Sequence, residues 1–336
     1  MNKVIKTGVL SFGMSGSLFH CPFISKHDGF ELTGVVERSI KKAFKVYPKI
    51  KSYNTVNDII NDAEIELIVV NTPSSTHFEF ALKAIKAKKH VLVEKPFTVT
   101  PNEARVLYKE ARENNCYVMP YQNRRYDSDF LSVKQVVESG KLGKLIEVHF
   151  RYDRYNSKIS DNVVKESAGP ASGLLYNLGP HVIDAAITLF GMPKKWHKVK
   201  TGNRPGTQID DYASVHLEYE NGLHVFATVS LLVAHAQAAF VLHGTKGSYI
   251  KPRCDVQEEQ LKLGMNIHDN LYGVEAVNNE GELTVINNGV SHKEKITAIK
   301  SSYLNVFEDV YQTIRNKRSY PVTEMEVVKQ IEILET

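Results

Sequence analysis

Cysteine is scarce in this chain, and the scarcity excludes a good deal. Cys21, Cys116 and Cys254 are too few and too scattered for a disulfide framework. No CxxC pair and no HExxH spacing occurs, so no metal is assigned. Charge of one sign is also lacking. The 42 basic and 38 acidic residues leave a net +4, too little for a general nucleic-acid field. The densest basic cluster, Lys83, Lys86, Lys88 and Lys89, fits the solvated face and end of a helix. No apolar run approaches transmembrane length. The opening MNKVIKTGVLSFGMSGSLFHC mimics a lipoprotein leader, but Gly8, Gly13 and Gly16 interrupt it. Phe19-His20 is bulky where a cleavage site needs small residues. The expectation is a cytoplasmic protein in a reducing compartment, with neither membrane nor nucleic acid among its partners.

What the chain does have is alternation. Its 336 residues suit two domains. The first 120 alternate apolar strands (Val4 to Leu10, Phe30 to Val36, Ile65 to Val70, His90 to Val93, Tyr117 to Pro120) with helical stretches. Those helices are expected over Gly16 to Lys26, Ser39 to Tyr47, Thr76 to about Lys88, and onward from Thr100-Pro101. Such a series argues for a doubly wound parallel sheet. After Arg125 the period changes: Ile146, Val148, Phe150 and Tyr152 alternate with Glu147, His149, Arg151 and Asp153. Strands follow at Tyr212 to Tyr219, Leu223 to Leu232 and Ala239 to His243, with Asn221-Gly222 as a hairpin turn. The fold class expected is an α/β doubly wound domain over 1–122 and an α+β domain with a mostly antiparallel sheet over 123–336. Glu324 to Thr336 reads as a final helix that stops abruptly.

The most informative stretch is VLVEKPFTV, residues 91 to 99. It delivers Glu94, Lys95 and Pro96 to the carboxyl end of a buried strand, where open α/β sheets bind ligands. A lysine there can hydrogen-bond a substrate oxygen, although a strand ending in solvated charge would look the same. Ser11-Phe-Gly13-Met14-Ser15-Gly16 follows the first strand as SxGxxG, one glycine short of the dinucleotide fingerprint. Glu37 ends the second strand, placed to hydrogen-bond ribose hydroxyls and to favour NAD. The adjacent Arg38 can pair with a 2′-phosphate or stack on adenine, so NADP stays open and NAD is slightly favoured. Asn71-Thr72-Pro73 and His77 follow the third clear strand and could line a nicotinamide pocket, or His77 could simply pack. Tyr176-Asn-Leu-Gly-Pro-His-Val-Ile-Asp184 sets His181 and Asp184 one helical turn apart after a glycine-rich lead. A histidine there can accept a proton near neutral pH.

Together SFGMSG, Glu37, NTPSSTH, EKP, NRRYDSDF (Asn123 to Phe130) and YNLGPHVID resemble the Gfo/Idh/MocA oxidoreductase family, over residues 4 to about 320. NRRYDSDF and HGTKGSY (His243 to Tyr249) are most similar to its scyllo-inositol dehydrogenase branch. The resemblance implies an N-terminal Rossmann domain and a C-terminal domain with a large open sheet. In many members one face of that sheet is buried in a homodimer or homotetramer. It implies NAD or NADP as cofactor and a small sugar or polyol as substrate. Lys95 would orient the substrate hydroxyl beside the nicotinamide, with a cis Lys95-Pro96 peptide, and His181 would shuttle the proton. Asn123, Arg124 and Arg125 would lie near cofactor and substrate, and Arg154 and Tyr155 would be sugar contacts. Two departures stand out. Asn177 occupies the place of the usual aspartate four residues before His181, so oxidation should be slower or find another proton route, aided by Asp184. Ser11 replaces a glycine and should crowd the phosphate approach. A shortened final helix would be a third. A dinucleotide-dependent sensor without turnover, and an NAD-dependent glycosidase, are the alternative functions.

Overall fold

The computed structural model describes residues 4–38, 40–160 and 166–335. They divide into two compact units. The first holds the described residues within Met1–Asn123, Leu261–Asp269 and Ser302–Ile331, and the second those within Arg124–Gln260, Asn270–Ser301 and Glu332–Thr336. The expected boundary at 122/123 is therefore crossed twice more by later segments that return to the first unit.

The first unit is built on β1 (Ile5–Val9), β2 (Phe30–Val36), β3 (Lys51–Tyr53), β4 (Leu67–Val70), β5 (His90–Val93) and β6 (Val118–Pro120). All neighbours are parallel, in the order β3-β2-β1-β4-β5-β6. This is a doubly wound, Rossmann-like sheet. Its order reverses between β1 and β4, where a crevice opens at the strand carboxyl ends. β4 reads LIVV with every residue buried, because helices cover both faces. α1 (Cys21–Lys26), α2 (Val56–Ile60), α3 (His77–Lys86) and α4 (Pro101–Glu113) supply the cover. α4 starts where the sequence places it. Thr100 Oγ1 accepts from the Glu103 N–H, Glu103 Oε2 accepts from the Thr100 N–H, and Pro101 fills the first turn.

Two expected helices differ. The Gly16 to Lys26 helix opens as a π turn over Gly16–His20 before becoming α1. Pro22 has no N–H for the carbonyl of Leu18, and the Cys21 N–H bonds back to Gly16 instead. The helix expected over Ser39 to Tyr47 is absent from its described part. Ser39 lies outside the described residues, and the rest forms one 3-10 turn, Ala43–Lys45. The cause is Glu37, whose carboxylate accepts from the Lys42 and Ala43 N–H groups and ties the segment back to the end of β2. The helix Leu304–Asn316 closes this unit by burying Val306, Phe307, Val310 and Ile314. Phe307 stacks on Phe23 with centroids 5.8 Å apart.

The second unit carries eight strands: β7 (Leu145–Asp153), β8 (Lys195–Thr201), β9 (Tyr212–Glu218), β10 (His224–Ser230), β11 (Phe240–Gly244), β12 (Gly247–Lys251), β13 (Gly281–Asn287) and β14 (Val290–Ile296). Their order is β14-β13-β12-β11-β7-β10-β9-β8. Only β7 and β10 pair in parallel. Gly222, at φ 79°, makes the β9–β10 hairpin that Asn221-Gly222 foretells. β8, β12, β13 and β14 are not among the strands expected from the sequence; of these, β8 and β14 are exposed edge strands rich in lysine (KWHKVKT, VSHKEKI), without an apolar face. α5 (Ser128–Glu138) and the apolar α6 (Gly173–Phe190) cover one face. The other face is wet. On it Phe226 stacks between His149 (5.0 Å) and His216 (4.5 Å). The final helix runs Glu324–Glu335, and Thr336 lies outside the described residues.

Candidate active site

The loop after β1 is closed by its own polar groups. Ser11 Oγ accepts from the Gly13 N–H at 3.2 Å, so the serine that replaces glycine is absorbed into the turn. It needs no positive φ, as neither Ser11 nor Gly13 has one. Gly16 is required for a different reason. A Cβ there would lie 1.9 Å from the Ser11 carbonyl oxygen. Asn71, at the end of β4, donates from Nδ2 to the Ser11 carbonyl (2.9 Å) and to Ser15 Oγ (3.1 Å). Asn71 Oδ1 is buried and has no hydrogen-bond partner among the described residues, an acceptor left over at the switch point. Met14 stands two-thirds exposed at the loop tip. A glycine-tight turn, an unsatisfied acceptor and the strand reversal all fit a dinucleotide.

Glu37 does not present a bare carboxylate. It is 7% exposed. One oxygen takes the Lys42 and Ala43 amides, and the other takes the Ser52 hydroxyl at 3.0 Å. Arg38, beside it, is exposed. His77 is likewise internal. Its ring nitrogens lie 2.8 Å from the carbonyls of Pro96 and Thr72, so it ties the NTP turn to the EKP segment. Burial lowers its pKa, against the two carbonyl bonds. It clamps these two segments together. Thr72 bonds Thr76 between hydroxyls at 2.7 Å, and the Pro73 carbonyl accepts from Thr76. The Lys95-Pro96 peptide is cis. Asn123 is buried at the opening of the 3-10 turn Asn123–Tyr126.

In the second unit Arg124, Arg125, His181, Asp184, Phe240 and Arg253 line one pocket. Arg125 grips Asp184 with two bonds, Nε to Oδ2 and Nη2 to Oδ1, each 2.8 Å. Both oxygens of Asp184 are thereby engaged by one guanidinium. Arg124 pairs with Asp127 (3.0 Å), Glu258 (2.7 Å) and Asp255. Arg253 pairs with Asp129 at 3.2 Å. The ring of Tyr152 sits amid three guanidinium groups, Arg253 at 4.5 Å, Arg154 at 5.2 Å and Arg124 at 5.8 Å. Burial raises the Tyr152 pKa, while the Arg124 charge opposes it. His181 is 9% exposed, and its ring lies 6.1 Å from that of Tyr152. Asn177, one turn earlier on α6, is exposed, as are Arg154 and Tyr155 beyond β7. Pro180 withholds from the helix the N–H that would meet the Tyr176 carbonyl, just before His181. Arg253 and Asp255 carry no motif, and only the fold brings Arg253 to this pocket and Asp255 to Arg124.

Residues 5–122 match the model of the oxidoreductase family with an NAD-binding Rossmann fold, and residues 130–250 match the GFO/IDH/MocA C-terminal domain. The chain belongs to the Gfo/Idh/MocA family. Among its members, scyllo-inositol 2-dehydrogenase (NADP(+)) IolW of Bacillus subtilis is 32% identical over 98% of this chain and 92% of the relative. Oxidoreductase YhhX of Escherichia coli is 35% identical over 99% and 95%. The crystal structure of oxidoreductase yvaA from Bacillus subtilis superposes with a TM-score of 0.94 at 32% identity, covering 100% of this chain and 95% of that one. As in that family, the first unit of this Gfo/Idh/MocA protein is a dinucleotide-binding Rossmann fold. Among the described residues no helix is long and apolar enough to cross a membrane.

Proposed function

We propose that the chain is an NADP-linked oxidoreductase acting on a ring hydroxyl of a neutral sugar, inositol or related polyol. The observation that carries the substrate class is the charge state of the His181 pocket. Three lining guanidinium groups (Arg124, Arg125, Arg253) are met by five carboxylates (Asp127, Asp129, Asp184, Asp255, Glu258). Such a pocket offers many hydrogen-bonding groups and no surplus positive charge, which suits hydroxyls better than a carboxylate or phosphate. Of the pocket's lining side chains, only His181 is of a residue type that exchanges a proton near neutral pH.

In oxidation the substrate loses a C–H and an O–H bond and gains C=O. The bound nicotinamide supplies the hydride acceptor. His181 takes the hydroxyl proton, and the Lys95 ammonium stabilises negative charge growing on the oxygen. Ser11 to Gly16 would hold the pyrophosphate end, with Asn71 bracing that loop, and Pro73, Glu94, Pro96 and Asn123 would shape the nicotinamide end. Arg125, Arg154, Tyr155 and Asn177 would contact the sugar, with Arg124 toward the cofactor. The preference for NADP rests on Glu37, whose carboxylate is capped by amides and so repels a 2′-phosphate weakly, and on exposed Arg38. Assembly is proposed as a homodimer or homotetramer through the open sheet face, where the Phe226 row lies.

The test is the absorbance of reduced nicotinamide with NADP⁺ and NAD⁺ separately, over a panel of inositols and aldoses, with Lys95→Ala beside it. Turnover that needs Lys95 supports the reading. Dinucleotide binding without turnover across the panel overturns it in favour of a sensor, and aglycone release without net reduction in favour of a glycosidase.

A further inference from the structure

Two buried histidines flank the EKP segment, and one of them, His20, belongs to no dinucleotide motif. It is fully buried, with Nε2 2.8 Å from Glu94 Oε1. Its ring packs on Tyr121 at 4.4 Å and Phe307 at 6.2 Å. Its Nδ1 is buried with no hydrogen-bond partner among the described residues. That asymmetry assigns the tautomer. Nε2 carries the hydrogen and donates it to the carboxylate, because an imidazolium would also leave a buried Nδ1–H orphaned.

Glu94 carries the contact onward. Its second oxygen accepts from the Lys95 backbone N–H at 3.2 Å. Burial pushes the Glu94 carboxyl upward, but the hydrogen bond from His20 and the nearby Lys95 charge oppose it, and the carboxyl lies below its ordinary range. The π turn aims the histidine. The turn's extra residue rotates the next side chains by about 100° relative to an α-turn, and the turn ends on His20.

We propose that His20 is a positioning residue: by donating Nε2–H to Glu94 it fixes that carboxylate in place and, through the Lys95 N–H, sets the pose and electrostatics of the lysine. Its kinetic consequence rests on the dehydrogenase reading above, and its structural consequence does not. The experiment therefore has two arms, run on the full chain with His20→Leu, His20→Gln and His20→Asn. Gln can present an amide hydrogen at the reach of Nε2. Asn falls short of it and stands in if the Leu variant does not fold.

The first arm is pulsed acetic anhydride labelling of Lys95 against pH, read by peptide mass spectrometry. Leu or Asn should change the Lys95 labelling rate by about threefold or more, and Gln should restore it. The second arm is kinetics, where Leu or Asn should lower kcat by about tenfold or more with the dinucleotide KM within about twofold. Labelling profiles that superimpose for wild type and Leu overturn the proposal, as does an equal change in Leu and Gln. Labelling that responds as expected in a protein without turnover keeps His20 as the positioner of Lys95 and overturns the dehydrogenase reading alone.

Discussion

Arg125 and Asp184, 59 residues apart, meet in a two-bond ion pair with each contact at 2.8 Å. Their side chains are 8% and 7% exposed, so little water is at hand to replace either partner. Removing one charge strands the other in a medium of low dielectric. Asp184→Asn should cost about 3–5 kcal/mol of unfolding free energy, measured by urea denaturation. The paired apolar replacement Arg125→Met with Asp184→Leu should cost distinctly less. A loss from Asp184→Asn under about 1 kcal/mol would place the pair in the weak, solvated class.

Asn177 stands one helical turn before His181, where a carboxylate would stabilise an imidazolium. Asn177→Asp should raise the proton affinity of His181 by about one pKa unit, about tenfold. Turnover in the oxidation direction should rise, and the acidic limb of the kcat profile should move up with it. The pH–rate profiles of the two proteins check this, and superimposable profiles refute it.

Arg38 and Glu37 set the expected cofactor ratio. Arg38→Ala should reduce kcat/KM for NADP⁺ by about tenfold or more, as fits loss of a charge-assisted bond of about 1.5–3 kcal/mol. NAD⁺ should change little. A parallel loss with both cofactors would mean that Arg38 contacts adenine or serves the fold.

The histidine row on the open sheet face should make the fold sensitive to acid. Burial, with the neighbouring His224 adding to it, lowers the His216 pKa, so the native face favours the neutral ring. Stability from such a group is present at neutral pH and is lost as pH falls through about 6.5, the ordinary histidine value. Urea denaturation between pH 8 and pH 5 should show the unfolding free energy falling toward the acid end. His216→Gln should flatten the response.

Five strands of the first unit are legible because each is a short apolar run, as VLV closed by Glu94-Lys95-Pro96 is, whereas β3 (KSY) has no apolar run and was not foretold. The hairpin at Asn221-Gly222 was legible from turn chemistry. Helix detail was not. The composition of residues 16 to 26 suits a helix, but the absence of one N–H at Pro22 decides which hydrogen bonds form. Residues 39 to 47 look helical until the Glu37 carboxylate captures two of their amides. Charge partners were the least legible of all. Arg124 and Arg125 stand out in the sequence, yet Asp184, Asp255 and Glu258 reach them only through the fold. His77 reads as a possible pocket residue because spacing marks its place and cannot reveal that two carbonyls occupy its ring.

The helix Leu304–Asn316 packs Phe307 on Phe23 and completes the core of the first unit. Synthesis runs from the N-terminus. A ribosome that has released residues up to Asn123 has made every strand of the parallel sheet but not the helix that seals one side of it. The nascent sheet must wait for nearly two hundred further residues, counted from the positions themselves, before Phe23 finds its partner. The unit begun first is finished last, and its exposed aromatic face in the interval is a natural client for chaperones.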